Sequence, residues 1–233
     1  MSSPASLASH EAERLACLSH YEVLRALQER VFSEVVELAA RIFSLPVALL
    51  NVVEEHVVRS GAQCGLPGSV VQPRAEVLCS ATVAQGEVVV YHDLAAVAPT
   101  PATAAAVQAT LSHHMQFYAA APVRLAEQFC VGTLCLFDQR PREFTPDEQQ
   151  VLERLAALVS RAIVVRHQHY ATPEQEFQWS NVHTQLHDEV RELEALVRYL
   201  LTRYCLRVPV PQDVLHLVNR RLGDLHLLLQ APA

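Results

Sequence analysis

The segment from residue 117 to residue 159 constrains the fold more than any other part of the chain. It reads FYAAAPVRLAEQFCVGTLCLFDQRPREF, followed at once by TPDEQQVLERLAALV. Two apolar runs, Phe117 to Leu125 and Cys130 to Phe137, have the length of buried strands, and the short polar turn between them predicts an antiparallel pair. Gly132 lies inside the second run and indicates a close backbone approach or a bulge.

A long helix is predicted to begin directly after this hairpin. Thr145 is suited to cap it, Pro146 fits the first helical position, where no donor is needed, and Glu148 completes a T-x-x-E capping box. Its apolar residues recur at heptad steps, which predicts a packed face; they are Val151, Leu155, Leu158, Ala162 and Val165.

Composition excludes several classes of protein. The 233 residues are 51% hydrophobic and 18% charged, which suits one substantial folded domain with an appendage. No apolar run approaches about 18 residues and the N-terminus does not resemble a signal peptide, so we expect a cytoplasmic protein without a membrane span. The net charge is −7 and the 18 basic residues are all Arg without a run, so nucleic-acid binding is not expected. The six cysteines are interpreted as thiols.

The first two thirds of the chain predict alternating helices and strands. Helices are expected from Glu11 to Leu27 and from Glu29 to Ser44, then a strand from Val47 to Val53 and a shorter one from His56 to Arg59. The segment Gly61 to Arg74 is predicted as a loop, Leu78 to Gln85 as a short helix ended by Gly86, and Glu87 to Tyr91 as a strand. Leu94 to Ala109 is either a loop or a weak helix that begins near Thr103.

This order of elements resembles a GAF domain, and specific motifs resemble one bacterial GAF family. That family opens with an E-x-x-R-L-x-x-L helix, matched by Glu11 to Leu18, and has a short helix containing a cysteine, matched by Leu78 to Ala81. Its V-x-D strand end and its two last strands, F-Y-A-x-A-P and G-T-L-C, are matched in the ranges 90–93, 117–123 and 131–138. The expected fold is α+β, with a central antiparallel sheet flanked by helices and followed by a helical hairpin. The expected boundaries are a tail at 1–10, the GAF domain at 11–166 and the hairpin at 167–233.

The resemblance implies a sensory or regulatory protein that responds to a small molecule or to redox state, rather than an enzyme. No motif of a hydrolase, metalloprotease, P-loop or dinucleotide-binding protein is present, and the cysteine spacing does not resemble that of the free methionine sulfoxide reductases. Ser112 replaces the cysteine that binds a tetrapyrrole in photoreceptor GAF domains, and the cofactor and ligand stay unidentified. On the family plan the ligand-binding candidates are Cys79, Asp93, His113, Phe117 and Cys135.

The last third of the chain predicts a helical hairpin. After Thr172-Pro173, the positions of one helix face step by four and three without a miss; they are Trp179, His183, Leu186, Val190, Leu193, Val197, Leu200 and Tyr204. A Val-Pro-Val-Pro break precedes a second such helix, whose apolar residues are Leu215, Val218, Leu222, Leu225 and Leu229. The hairpin is expected either to dock on the helix after Thr145 or to pair with a second copy, and a homodimer is favoured.

His187 is an alternative phosphoacceptor. The sequence Leu186-His187-Asp188-Glu189-Val190 resembles the phosphoacceptor box of one class of histidine kinases, although no ATP-binding domain follows. A solvated surface histidine is the competing interpretation. His183 and His187 also have the i, i+4 spacing of a metal pair, but no third ligand is placed, so no metal site is predicted. Output is expected through a signalling partner, either a kinase or a response regulator.

Overall fold

A single six-stranded antiparallel sheet forms the centre of the molecule. The computed structural model describes residues 4–68, 71–126, 129–169, 173–204 and 208–230. The strands are β1 Val47–Val53, β2 Val57–Cys64, β3 Val71–Pro73, β4 Val89–Tyr91, β5 Phe117–Leu125 and β6 Phe129–Asp138. They lie in the order β3-β2-β1-β6-β5-β4. The predicted hairpin is therefore confirmed as β5 and β6, and β1 pairs with β6 at the centre of the sheet.

Eight α-helices surround the sheet within the described residues. They are α1 Pro4–His20, α2 Val23–Ala26, α3 Arg30–Ile42, α4 Cys79–Gln85, α5 Ala104–Ser112, α6 Pro146–Gln168, α7 Pro173–Tyr204 and α8 Gln212–Leu228. Short 3₁₀ turns occupy Arg74–Glu76 and Leu94–Ala96. Among these residues no helix combines the length and the apolar character that a membrane crossing needs.

Two local predictions differ from the structure. The helix expected from Glu11 to Leu27 breaks at Glu22, whose backbone is left-handed with φ of 47°. The loop expected from Gly61 to Arg74 is largely strand, because β2 continues through Cys64 and β3 follows. Within β2, position 61 needs glycine because a Cβ there would lie 2.6 Å from the Cβ of Leu27. For Leu94 to Ala109, the sequence left a loop and a weak helix open. The structure has helix α5, which begins after Thr103.

Gly132 and the capping box behave as predicted. A Cβ on Gly132 would lie 2.0 Å from the carbonyl oxygen of Asn51, so the close approach of β6 to β1 requires glycine. Thr145 Oγ1 accepts from the Glu148 amide at 3.2 Å, and the Thr145 amide donates to Glu148 Oε2 at 2.8 Å.

Glu148 also joins three separate parts of the chain. Its carboxylate is fully buried, accepts from Arg142 Nη2 at 2.7 Å, and accepts from the Val210 amide at 3.2 Å. Arg142 in turn donates to the carbonyl of Phe43. A buried carboxylate needs such partners. Glu148 therefore connects the start of α6 to the loop after β6 and to the turn before α8, and through Arg142 to the end of α3.

The C-terminal hairpin docks on its own domain. Helix α7 packs against α3, and α8 packs against α6 and α7, so these helices form a bundle within one chain. The predicted apolar side chains that the structure describes are buried in it, except that Leu200 is half-buried and Leu201 is buried instead. The side chain of Tyr204 lies outside the described part. Thr172 lies outside the described residues. The apolar faces of α6, α7 and α8 are therefore covered within one chain. The homodimer was predicted from those faces, so it stays a prediction that this packing does not support.

The contact between α3 and α7 carries charged and aromatic side chains in addition to apolar ones. Trp179 Nε1 donates to Glu29 Oε2 at 3.0 Å, and Arg41 pairs with Glu194 at 2.9 Å. His187 Nδ1 lies 2.6 Å from Glu34 Oε2. Directional contacts of this kind fix the register of one helix on another.

Candidate functional site

The two faces of the sheet have different chemistry, and the candidate site lies on the face that α4 and α5 cover. On the opposite face, packed on α3 and α6, the buried side chains of the strands are apolar, such as Ala48, Leu50 and Leu136. On the α4 side, Asn51, Tyr118, Thr133 and Cys135 point into the interior, although all four are buried. Buried polar groups require hydrogen-bond partners, and these side chains supply them to one another.

Two thiols lie at the centre of this cluster. The Sγ atoms of Cys79, at the start of α4, and Cys135, in β6, are 3.1 Å apart. Asn51 Nδ2 donates to Cys79 Sγ at 3.2 Å, and Thr133 Oγ1 lies 2.8 Å from Cys135 Sγ. The hydroxyl of Tyr118 lies 3.7 Å from Cys79 Sγ. Both cysteines are fully buried.

The surroundings make the two thiols unequal. Hydrogen bonding from Cys135, assisted by Thr133, Asn51 and Tyr118, outweighs burial and lowers the pKa of Cys79 to about 6. Burial, together with the neighbouring Cys79, raises the pKa of Cys135 well above its ordinary value. One proton is therefore lost easily from the pair while the other is retained, as expected for two coupled groups.

A cavity of about 270 Å³ adjoins the thiol cluster. Its walls are mostly apolar and come from β1, β6, α5 and the segment before α4, with polar groups from Gln72, Glu76, Thr110 and His113. The apolar part includes Val47, Leu49, Leu66, Val77, Leu78, Met115 and Phe137. The side chains of the thiol cluster fill the space under α4, and this cavity is the space that is left beside them.

The structure separates the five predicted ligand-binding residues. Cys79 and Cys135 come together beneath α4, and His113 lines the cavity at the end of α5. Asp93 instead caps the 3₁₀ turn that follows β4, where its Oδ1 accepts from the Ala95 amide at 3.0 Å. It is not among the residues that line the cavity.

Phe117 requires a correction. It packs on the other face of the sheet, with its ring 5.6 Å from that of Phe144. Successive side chains of a strand point to opposite faces, so the next residue, Tyr118, lies in the cluster in its place. Sequence reasoning also missed Asn51 and Thr133. The available signal was a polar residue inside a continuous apolar run, since Asn51 interrupts VALL-VV in β1.

His187 lies away from this site, on α7. Its side chain is 26% exposed, and its Nδ1 contacts Glu34, whose side chain is 6% exposed. Arg30 Nε donates to the other oxygen of Glu34 at 3.0 Å. His183 lies 3.9 Å from Glu29, and the described residues contain no group of three or more His, Cys, Asp or Glu arranged to hold a metal ion.

The profile of the GAF domain matches residues 28–163, more than half of the chain. The chain belongs to the GAF domain family. The match spans α3 to most of α6, so it includes the sheet, both thiols and the cavity. A search of curated proteins finds no match.

Several solved structures are similar to this chain at low identity. The blue-light-absorbing form of the PixJ GAF domain of Thermosynechococcus elongatus is 17% identical, with a TM-score of 0.50 over 62% of this chain and 89% of that one. The GAF domain of the Acinetobacter phosphoenolpyruvate-protein phosphotransferase is 17% identical, with a TM-score of 0.47 over 64% and 96%. The type II free methionine-R-sulfoxide reductase of Thermoplasma acidophilum is 17% identical, with a TM-score of 0.45 over 59% and 94%.

Membership of the GAF family supports a sensory or regulatory role in signalling. The absence of catalysis stays a prediction. Within this GAF domain, the buried thiol pair and the adjoining cavity are the candidate site.

Proposed function

We propose that the protein is a GAF sensor that binds a small molecule in the cavity beside α4 and passes the signal through its helical bundle to a partner protein. The cavity carries this proposal. Its volume of about 270 Å³ lies just below the roughly 300–1,000 Å³ of ordinary ligand sites, so the ligand is small. Its apolar walls with a few polar groups at one side favour a largely apolar molecule with one polar end.

The strands supply the route for the signal. Val47, Leu49 and Phe137 face the cavity, while their neighbours Ala48 and Leu136 face α3 and α6. Those two helices carry α7 and α8. A ligand that binds one arrangement of the strands better than another would shift the packing of the bundle by that difference in affinity. The proposed receiver is a signalling partner, either a kinase or a response regulator. A cytoplasmic location and a homodimer stay predictions.

Native mass spectrometry of the full chain purified from its expression host tests the binding. We expect a small added mass that disappears on denaturation. Ala109→Phe places a ring in the cavity wall and should abolish the added mass. Ala105→Phe, the same substitution at an exposed position of the same helix, should retain it. Equal retention by both variants, or no added mass and no thermal shift with any compound of a metabolite panel, would overturn the proposal.

Phosphotransfer through His187 is a second candidate, and one contact favours it. The carboxylate of Glu34 engages Nδ1 at 2.6 Å and leaves Nε2 as the nitrogen available for phosphorylation. The ring is partly exposed, and Arg30 and Arg191 lie near the same carboxylate, where they are placed to attract a phosphoryl group. The donor would be a phosphorylated kinase or response regulator.

Phosphoramidate, a small phosphoryl donor, provides the test. His187→Ala should lose acid-labile labelling, whereas His183→Ala, one turn away on the same helix, should keep it. Unchanged labelling of His187→Ala would end this candidate.

A further inference from the structure

We propose that Cys79 and Cys135 form a reversible intramolecular disulfide when the protein meets a hydroperoxide. The two cysteines come from different elements, α4 and β6, and their sulfurs already lie 3.1 Å apart. A disulfide bond is about 2.05 Å long, so the sulfurs must close by only about 1 Å. The reaction goes beyond ligand binding, because it does not require an occupied cavity.

The residues around the sulfurs prepare the pair for this chemistry. Cys79 receives hydrogen bonds from Asn51 and Tyr118 in addition to Cys135, which stabilises its thiolate. The thiolate is the form that attacks an electrophile. Cys135 keeps its proton because a second negative charge in the same buried space is unfavourable. The cluster therefore contains an attacking sulfur and, beside it, a resolving sulfur.

The atoms and electrons balance as follows. The Cys79 thiolate attacks one oxygen of the hydroperoxide, the O–O bond breaks, and Cys79 becomes a sulfenic acid while an alkoxide or hydroxide leaves. The leaving group takes the proton of Cys135. The Cys135 sulfur then attacks Cys79, the S–S bond forms, and hydroxide leaves. Two electrons pass from the thiols to the peroxide, and a dithiol reductant returns them.

The position of α4 gives the oxidant a way in and the reaction a structural consequence. Val77 and Leu78 line the cavity and directly precede Cys79 in the sequence, so a movement of the start of α4 affects both the cavity wall and the sulfur. Helix α4 has only seven residues, and short elements open locally at low cost. The disulfide would tie α4 to β6 and displace this wall of the cavity.

Peptide mapping of the full wild-type chain tests the proposal without relying on any variant. The protein is treated with hydrogen peroxide, free thiols are alkylated, and the digest is searched for the peptide pair that joins residues 79 and 135. We expect this pair to form, to disappear after dithiothreitol, and to be absent when peroxide is added to protein unfolded in urea at the same concentration. Oxidation confined to other cysteines, or an equal yield in urea, would overturn it.

Variants assign the roles of the two sulfurs. Cys79→Ser and Cys135→Ser should each abolish the cross-link, and Cys79→Ser alone should also abolish the sulfenic acid that dimedone traps. Cys64→Ser, at a half-buried cysteine outside the cluster, is the matched control and should leave the cross-link unchanged. A cross-link to Cys130, or sulfenic acid on Cys135 first, would contradict the assignment.

Asn51 offers a graded test. Asn51→Leu removes the donor to Cys79 and should slow cross-linking about tenfold, the effect of one charge-assisted hydrogen bond. Ser60→Ala, which removes a hydroxyl bonded to the other end of Asn51, should slow it much less. The Ala109→Phe protein should still form the disulfide. Failure of ligand binding and failure of thiol oxidation are therefore separate results.

Discussion

The two faces of the central sheet are formed by the same strands but carry side chains of different chemistry. Leu134 and Cys135 are neighbours in β6, and both are fully buried. Leu134 joins the apolar core under α3 and α6, whereas Cys135 joins a hydrogen-bonded cluster under α4. The first face is apolar and continuous with the core of the C-terminal bundle. The second face contains thiols, hydroxyls, an amide and a cavity.

The two faces are expected to contribute differently to the free energy of unfolding. Apolar burial contributes roughly 25 cal/mol per Å², so the first face supplies most of the stabilisation. A buried polar cluster contributes little net free energy, but its members can change protonation, oxidation state or partner. The α4 side is therefore the face on which a signal can act at modest cost to the fold.

The largest effect is expected from a charge on the apolar side. Leu155→Asp places a carboxylate in the fully buried face of α6 and should cost about 4 kcal/mol or more, enough to prevent stable folding. Leu227→Asp, at a position 65% exposed on α8, should change stability by less than about 0.5 kcal/mol. Circular dichroism with urea titration measures both. A folded monomer of Leu155→Asp from a dimeric wild type would instead show that α6 packs between copies.

A matched pair of truncations compares the faces directly. Leu134→Ala should lower the free energy of unfolding by about 2–5 kcal/mol, because it leaves a cavity in the apolar core. Cys135→Ala removes one sulfur from the polar side and should cost only about 1–2 kcal/mol, because the side chain is smaller and its hydrogen bonds with Cys79 and Thr133 involve sulfur, a weak donor and acceptor. Urea unfolding under reducing conditions gives both values. An equal or larger loss for Cys135→Ala would mean that the thiol cluster is mainly structural.

A third effect is a pH dependence to which the thiol cluster on the α4 side contributes. The pKa of Cys79 is lowered from 9.0 to about 6, so between these values the unfolded chain binds more protons and stability should rise with pH. The pKa of Cys135 is raised above 9.0, so stability should fall again at higher pH. Unfolding free energies measured from pH 6 to pH 10 should show this rise and fall. Cys79→Ser should remove the rise, and Cys64→Ser should preserve it.

The strength of the local signal decided which predictions succeeded. The capping box at Thr145 and the two apolar runs before it are short-range features, and they appear in the structure almost residue for residue. The segment after Gly61 was predicted as a loop because glycine and proline dominate it. In the structure Gly61 lies in β2, paired with β1 and packed against Leu27 in the turn after α2. Local composition cannot report such a contact.

The site was predicted only in part for a similar reason. Cys79 and Cys135 were both candidates, but nothing in the sequence showed that they lie 3.1 Å apart. The face to which a strand residue points depends on register, and a shift of one residue exchanges Phe117 for Tyr118. Asn51 interrupts an apolar run in the sequence, but only the pairing of β1 with β6 places it opposite Thr133 and beside the thiols.

The sequence by itself determined the elements: the alternation of apolar runs, the caps and the heptad spacing specify strands and helices through interactions among neighbouring residues. Tertiary structure alone decided how those elements are used. It turned the heptad faces of α7 and α8 inward onto α3 and α6, and it brought the two thiols together across a strand and a helix separated by more than fifty residues. Such contacts depend on which surfaces bury one another, and that is a property of the whole chain rather than of any segment.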